Sequence, residues 1–330
     1  MNKRKVSIVT PMYNESEMVA TYFEKINKNT ADIIAKDSGI EFEIVIVNDG
    51  SRDDTFEQLL AQTELQKNLK VINLSRNFGQ EPAVFAGVEN ATGDAIIVMD
   101  ADLQDPAELL EMMIDKWKEG YDVVNAKRSD RKVDSFFQRT TAKFYYKKLN
   151  KLSYKVKYPM NVNNFRLISR RVAEVIKTFP SNEKLFRNAV AQAGFKTAEI
   201  EFVRAPRECG HSHVNAKSMI RLSLVGISDA SDKPLHFGFK WSILFMMFGG
   251  LLSLTALVLG IVNEFNVDCV NKIVASPLFL MGAMFGLIMM FTGIVMLLLS
   301  INSFYLGKTF MEIKRRPMYI IEGIYSGDKK

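Results

Sequence analysis

The chain has 330 residues, a net charge of +6 and two cysteines, so a disulfide framework is excluded. A basic surplus can indicate nucleic-acid binding, but the sequence contains no zinc-finger, helix-turn-helix or RNA-binding motif, and we predict no nucleic-acid partner. The mean hydropathy is close to zero because two unlike parts are averaged. Residues up to about 235 have the composition of a soluble α/β protein, whereas the later residues are mostly apolar.

The first third of the chain alternates between strands and helices. Each predicted strand ends in a polar loop that carries Gly or Asp, and the carboxyl ends of parallel strands meet at one edge, where ligands bind. Asp and Ser also cap helices, but capping alone is a poor explanation for four successive loops. The predicted strands are Val6–Thr10, Phe42–Val47, Val71–Leu74 and Ala95–Met99.

The fourth strand leads directly into two carboxylates, Asp100 and Asp102. A helix-start signal, Asp105-Pro106, follows them. A lone Asp-x-Asp is weak evidence, since any acidic turn matches it. At the carboxyl end of a buried strand, however, such a pair is well placed to hold a divalent cation against a diphosphate.

Beyond the fourth strand, a basic and aromatic stretch from Lys127 to Asn150 has two equally supported explanations. It fits a solvated helix with an aromatic stripe in the core, and it fits a surface that meets lipid headgroups, with arginines gripping a phosphate. Residues 216–227 are predicted to form an amphipathic helix that lies on a membrane.

Two apolar stretches near the C-terminus are predicted to span that membrane. Residues 241–262 are 22 residues without a charge, enough to cross a hydrocarbon core of about 30 Å. The second uncharged run, 273–307, is longer than one span needs, and we place its helix at 278–302. Two buried core helices are a weaker explanation, because both runs are too long and lack a polar face.

The charges beside these spans predict their orientation. The linker between them has little positive charge, whereas lysines and arginines lie before the first span and after the second. We therefore predict a multi-pass protein of the cytoplasmic membrane, with Cys209 and Cys269 on opposite sides. The predicted segments are a cytoplasmic domain at 1–212, an amphipathic juxtamembrane segment at 213–240, spans at 241–262 and 278–302, a short external loop at 263–277 and a cytoplasmic basic tail at 303–330.

Five motifs, in order, give the chain a resemblance to a known enzyme family. They are VTPMYNE at 9–15, VNDGSRDDT at 47–55, LSRNFGQE at 74–81, MDADLQDP at 99–106 and NFRLISRR at 164–171. They resemble the GT-A-fold glycosyltransferases of family 2, in particular the membrane-anchored polyprenyl-phosphate branch with its bactoprenol glucosyltransferases and dolichyl-phosphate mannose synthase. The resemblance implies an α/β, Rossmann-like GT-A catalytic domain that binds a nucleotide sugar, followed by interfacial helices and two transmembrane helices.

The resemblance also implies roles for particular residues. The predicted nucleotide-sugar ligands are Pro11, Tyr13, Glu15, Asn48, Asp49, Asn77, Gly79 and Asp100. The predicted ligands of Mg²⁺ or Mn²⁺, which would hold the donor diphosphate, are Asp100, Asp102 and Gln104. The predicted ligands of the acceptor phosphate are Arg128, Arg131, Arg139, Arg207 and Ser212. The predicted catalytic residues are Asp100, Asp102, Arg128 and Arg131.

The chain departs from the family pattern at two places. Relatives often read Asp-x-Gly-Asp-Phe-Arg where this chain has Asn161 and Asn164 in place of the two carboxylates. An amide can orient a hydroxyl but cannot act as a base or a strong cation ligand. The lysine and tyrosine expected after Ser212 are replaced by His213 and Val214. These changes indicate a different sugar or acceptor geometry, or lost activity; the intact Asp-x-Asp favours the former.

We therefore expect an inverting hexosyltransferase that moves a sugar from a nucleotide sugar to undecaprenyl or another polyprenyl phosphate. The lipid-linked product would serve modification of the cell wall or of a surface polysaccharide. UDP-glucose and UDP-N-acetylglucosamine are the favoured donors, with galactose and mannose also open, and we expect a homo-oligomer. The alternatives are a non-catalytic membrane scaffold that binds nucleotide sugar, and a polysaccharide synthase, whose usual Gln-x-x-Arg-Trp element is absent.

Overall fold

The computed structural model of the protein describes residues 3–102, 104, 106–129, 156, 162–179, 185–202, 277–314 and 316–327. The chain divides into two compact units, one made of Met1–Ala230 together with Arg315–Lys330 and the other of Ser231–Lys314. Several sequence predictions fall outside the described residues. These are Asn161, Arg131, Arg139, Arg207, Ser212, the juxtamembrane segment and the span at 241–262.

In the part of the chain that the structure describes, eight strands form one sheet at the centre of the first unit. The strands are β1 Arg4–Met12, β2 Ile40–Asn48, β3 Leu69–Leu74, β4 Ala95–Val98, β5 Val123–Arg128, β6 Val162–Ser169, β7 Thr197–Phe202 and β8 Ile321–Ser326. Their order across the sheet is β7-β5-β6-β4-β1-β2-β3-β8. The strands β1 to β4 are parallel to their neighbours within that group, whereas β6 and β8 are antiparallel to the strands beside them. The predicted α/β fold and its four predicted strands are confirmed.

Helices cover both faces of the sheet, since alternate strand residues point to opposite sides. In β1, Ile8 belongs to one buried cluster and Val9 to the other. The first cluster includes side chains of α1, α2 and α4, and the second includes side chains of α3, α5 and α6. The helices are α1 Ser16–Lys36, α2 Thr55–Leu65, α3 Gln80–Asn90, α4 Leu109–Lys118, α5 Arg170–Lys177 and α6 Phe186–Ala193.

The C-terminal residues return to this sheet. The strand β8 pairs antiparallel with β3, and Met318, Tyr319 and Ile321 pack against the second cluster. The Tyr319 hydroxyl also hydrogen-bonds the Glu89 carboxylate. This differs from the expectation of a separate basic tail at 303–330, because β8 forms by pairing with a strand about 250 residues earlier, which no local pattern reveals.

The second unit contains a long helix, α7 (Pro277–Ile313, 37 residues), which includes the stretch predicted as the second span at 278–302. Its described side chains include exposed apolar ones such as Met284, Val295 and Leu299. In the described part of the chain, no helix is found that is long and apolar enough to cross a membrane. Neither predicted span is confirmed, and both stay predictions.

A buried carboxylate joins four segments at the amino ends of the central strands. Glu43 in β2 is 5% exposed and accepts hydrogen bonds from the Ser7 hydroxyl (2.5 Å), the Thr92 N–H (2.7 Å) and the Lys70 ammonium (3.0 Å). Burial alone would raise the pKa of Glu43, but these donors outweigh it and hold the pKa below its ordinary value. The folded protein therefore stabilises the ionised form of the Glu43 carboxyl group.

We predict that Glu43→Gln lowers the free energy of unfolding by about 2–3 kcal/mol at neutral pH, because it removes charge-assisted bonds from a buried site. Because the folded-state pKa lies below the unfolded one, this contribution is present above the unfolded pKa and is lost as the pH falls through the folded pKa. Urea unfolding of the wild type and the variant at several pH values measures the difference.

The matched control is Glu41→Gln, on the same strand but exposed, which should change the stability little at any pH. If the two variants were equally stable, the Glu43 cluster would not contribute to the fold.

Candidate nucleotide-sugar site

The first two motif loops are tied to one another at the carboxyl edge of the sheet. The strands β1 and β2 lie in register with Met12 opposite Asn48. The Asn14 N–H donates to the Ser51 hydroxyl (3.0 Å), and the Asn14 side-chain oxygen accepts the Arg52 N–H (2.8 Å). The two loops therefore form one connected surface, as expected for a site that binds a ligand across adjacent strand ends.

The same neighbouring loop completes the start of α1. The first residues of a helix have backbone N–H groups with no partner inside the helix. Here the Glu15 N–H donates to the Thr55 hydroxyl (2.9 Å) and the Ser16 N–H to the Asp53 carboxylate (3.2 Å). Glu15, a predicted donor ligand, is thus held at the start of α1 through its backbone N–H.

Asp49 holds the third motif loop against the second. It is 3% exposed, and its two carboxylate oxygens accept the N–H groups of Phe78 (2.7 Å) and Gly79 (2.8 Å). Burial raises the pKa of Asp49, while these two hydrogen bonds act against the rise. The contact places Asn77 and Gly79 beside the first two loops. The sequence predicted that Asp49 binds the nucleotide. It did not indicate that the Asp49 carboxylate holds the third motif loop in place.

Gly50 permits this close approach. Its φ is +61°, and a Cβ atom there would lie 2.4 Å from the Arg76 carbonyl carbon and 2.6 Å from the Asn77 nitrogen. Both the backbone conformation and the space exclude a side chain. The Asn-Asp-Gly-Ser run therefore combines a tight turn with a contact to the next loop.

The acidic pair lies at the end of β4, beside α3. The Asp100 carboxylate accepts a hydrogen bond from the Gln80 side chain (2.8 Å). Asp102 is 8% exposed and accepts the Gln104 N–H (3.2 Å). These contacts help to orient the two carboxylates.

This donor set suits a hard divalent cation. Carboxylate and amide oxygens are ligands that Mg²⁺ and Mn²⁺ accept, and Mg²⁺ usually takes only one or two carboxylates and completes its shell with substrate phosphates and water. Within the described residues, no group of three or more His, Cys, Asp or Glu side chains is arranged so that it could hold a metal ion. Asp100, Asp102 and Gln104 thus fit a cation shared with a bound diphosphate.

Asn164, one of the departures from the family pattern, contacts a carboxylate on the other side of the site. Its side-chain nitrogen lies 3.4 Å from a Glu81 oxygen, and the second Glu81 oxygen accepts the Phe186 N–H (2.7 Å). An aspartate at 164 would face Glu81 with like charge, so the amide suits its neighbour. The sequence indicated no role for Glu81.

The acceptor side is only partly described. Arg128 ends β5, is half-buried and lies opposite Phe202 of β7. Arg166 of β6 is 1% exposed, with its guanidinium 5.6 Å from the centre of the Phe186 ring. The other predicted acceptor ligands, Arg131, Arg139, Arg207 and Ser212, lie outside the described residues. The structure therefore places the loops that carry the predicted donor ligands at the carboxyl ends of β1 to β4. The roles of these residues and of the predicted acceptor loop stay predictions.

A mixed α/β sheet whose parallel strands carry an acidic pair and tied loops at their carboxyl ends has the arrangement expected of an α/β domain that binds a ligand at this edge. The chain belongs to glycosyl transferase family 2, whose family model matches residues 7–177. The predicted family, the GT-A domain and the enzyme class are confirmed: the protein is a glycosyltransferase.

Two relatives are similar over nearly the whole chain. The prophage bactoprenol glucosyl transferase homolog of Escherichia coli K12 is 36% identical over 325 residues, covering 97% of this chain and 99% of the relative. The SfII prophage-derived bactoprenol glucosyl transferase of Shigella flexneri is 34% identical over 329 residues, covering 98% and 99%. Among solved structures, glucosyl-3-phosphoglycerate synthase from Mycobacterium tuberculosis with Mn²⁺ and UDP-glucose aligns at a TM-score of 0.44 with 17% identity, covering 68% of this chain and 77% of that one.

We predict that Gly50→Ala destabilises the protein more than a glycine substitution that only strains the backbone. The control is Gly120→Ala, where φ is +90° but no atom lies within 4 Å of the added Cβ. In the control, backbone strain alone should lower the free energy of unfolding by about 1–2 kcal/mol. Gly50→Ala should lower it by at least about 1 kcal/mol more, because the added Cβ displaces the Arg76–Asn77 backbone. Denaturant unfolding measures both, and equal losses would contradict the close approach.

Proposed function

We propose that this glycosyltransferase moves a hexose from a UDP-sugar, UDP-glucose or UDP-N-acetylglucosamine, to undecaprenyl or another polyprenyl phosphate. The observation that carries the proposal is the pair Asp100 and Asp102 at the carboxyl end of β4, beside the braced loops of β1 to β3. Similarity along the full length to relatives named bactoprenol glucosyl transferases supports the lipid acceptor. The product would be a lipid-linked sugar for modification of the cell surface.

On the donor side, the loops after β1, β2 and β3 bind the base and ribose through Pro11, Tyr13, Glu15 and Asn77. The predicted ligand Asn48 is buried, and both ends of its side-chain amide are hydrogen-bonded within the protein, so the loop that follows Asn48 provides the contact in its place. Asp100, Asp102 and Gln104 would hold Mg²⁺ or Mn²⁺, and the chemistry that such a cation would supply is neutralisation of charge on the leaving diphosphate. The hydrogen bonds from Gln80 to Asp100 and from the Gln104 N–H to Asp102 keep the carboxylates in place before the donor binds, so that little reorganisation is needed during the reaction.

On the acceptor side, no general base is needed. A phosphate monoester has a second pKa near 6, so the lipid phosphate is largely dianionic at neutral pH and is already a nucleophile. Its oxygen attacks the anomeric carbon from the face opposite the diphosphate, and the carbon–oxygen bond to the diphosphate breaks with both electrons leaving on the nucleotide. The configuration at the anomeric carbon inverts. Arg128, with Arg131, Arg139, Arg207 and Ser212, holds the acceptor phosphate in line.

A membrane location is part of this proposal, and the course of the chain supports two spans. Residues up to Ala230 and residues from Arg315 onward belong to the same unit, so any segment between them that crosses a membrane must cross it an even number of times. A hairpin of two spans, 241–262 and 278–302, satisfies this condition and leaves the loop 263–277 on the far side.

We predict that Asp102→Asn lowers sugar transfer to undecaprenyl phosphate by at least about a hundredfold, because the amide is a poor cation ligand. The assay uses detergent-solubilised full-length protein with radiolabelled UDP-sugars, with Mg²⁺ or Mn²⁺ and with EDTA. The product should be lipid-linked and should be lost with EDTA. The melting temperature of the variant should match that of the wild type.

The control is Asp94→Asn, at the amino end of β4, where the Asp94 carboxylate accepts the Lys5 N–H (2.8 Å). This variant should retain transfer. Full transfer by Asp102→Asn would refute the metal role of that residue. Wild-type protein that binds UDP but makes no product would favour the non-catalytic scaffold, and a glycan polymer without a lipid-linked intermediate would favour the synthase.

The two cysteines provide a test of topology. The variant Cys209→Ser keeps Cys269, which lies in the predicted external loop. In intact cells we expect a membrane-impermeant maleimide to label Cys269 in this variant. Cys269→Ser, which keeps Cys209, should be labelled only after the cells are permeabilised. Labelling of Cys209 in intact cells would contradict the predicted orientation.

A further inference from the structure

The C-terminal strand delivers a carboxylate to the donor side of the sheet. Along the pairing of β3 with β8, Asn73 lies opposite Gly323, and the next residue, Leu74, lies opposite Ile321. Glu322 is therefore the extra residue of a β-bulge. Bulges redirect a side chain from the regular alternation of a strand and are common beside active sites. Here the Glu322 carboxylate accepts a hydrogen bond from the Asn73 side-chain nitrogen (2.8 Å).

That contact is the end of a chain of hydrogen bonds from the donor loops. The Asn14 N–H donates to the Ser51 hydroxyl (3.0 Å), and the Ser51 N–H donates to the Asn48 side-chain oxygen (3.3 Å). The Asn48 side-chain nitrogen donates to the Asn73 side-chain oxygen (2.7 Å), and Asn73 then donates to Glu322. Every group donates in the same direction, from the loop after β1 to the C-terminal strand.

The two ends of this chain fix the orientation of both asparagines. A side-chain amide has a donor end and an acceptor end, and either can be presented to a neighbour by rotating the group. The Ser51 N–H can only donate, so it selects the oxygen of Asn48. The Glu322 carboxylate can only accept, so it selects the nitrogen of Asn73. Asn48 and Asn73 are 2% and 8% exposed, so little solvent is available to replace a lost partner.

We propose that Glu322 is a positioning residue for donor binding: by fixing the Asn73 and Asn48 amides it sets the loop that binds the nucleotide. This role rests on the proposed function, in which the loop that follows Asn48 contacts the nucleotide. Glu322 does not touch the reacting atoms. It acts through two buried amides, and it makes donor affinity depend on the segment that follows α7.

The test compares Glu322→Ala, Glu322→Gln and Ile324→Ala in the full-length protein. Glutamine keeps an oxygen that accepts from Asn73, and Ile324 is an exposed side chain on the same strand (49% exposed) that serves as the control. Two quantities are measured for each variant: the Kd of UDP by calorimetry, and the KM values for donor and for undecaprenyl phosphate in the transfer assay.

We expect Glu322→Ala to raise the UDP Kd and the donor KM about three- to tenfold, which corresponds to the loss of one hydrogen bond. The acceptor KM should be unchanged, Glu322→Gln should restore most of the affinity, and Ile324→Ala should resemble the wild type. A general loss of structure would instead raise both KM values or lower kcat, and it would not be rescued by glutamine.

The outcomes separate this inference from the proposed function. Equal UDP affinity in Glu322→Ala and Ile324→Ala overturns the positioning role even if transfer proceeds as proposed. Wild-type protein that binds UDP without transferring sugar overturns the proposed reaction, while the Kd series still decides the role of Glu322. If the wild-type protein did not bind UDP, the proposed role of Glu322 in binding a UDP donor would be overturned.

Discussion

The pairing of β1 with β2 on one side and β4 on the other is the constraint from which the site follows. All three strands run in the same direction and are paired in register, so their loops must emerge at the same edge. The helix α3 packs on this pairing so closely that a Cβ at Gly87 would lie 2.3 Å from a methyl carbon of Val9. Apolar burial on both faces of the sheet fixes the strands, and the fixed strands bring the polar loops together without any contact to a ligand.

At that edge of the sheet, two carboxylates form hydrogen bonds that hold neighbouring parts of the protein together. Asp49 accepts two backbone N–H groups of the next loop, and Glu81 joins Asn164 to the start of α6. Such bonds to ionised acceptors are stronger than neutral ones and can hold loops that make few apolar contacts. Asp100 and Asp102 accept hydrogen bonds from the Gln80 side chain and the Gln104 N–H, at the end of β4.

The return of the chain to the sheet gives the C-terminus a structural role. The strand β8 pairs with β3 through its backbone. Tyr319 hydrogen-bonds Glu89 of α3, and Glu322 accepts a hydrogen bond from the buried Asn73. The chain thus enters the second unit from one part of the glycosyltransferase domain and re-enters that domain at the edge of its sheet.

The sequence by itself determined the α/β class, the four strands that carry the motifs, the family and the acidic pair, because these depend on local hydrophobic runs and on short motifs with fixed spacing. Only the tertiary structure decided what the motif residues contact. It showed that Asp49 braces a loop, that the amide of Asn164 faces Glu81, and that residues near the C-terminus complete the sheet. Asn73 and Glu322 are about 250 residues apart in the sequence, and their contact depends on strand pairing over that distance, which no window of local sequence contains.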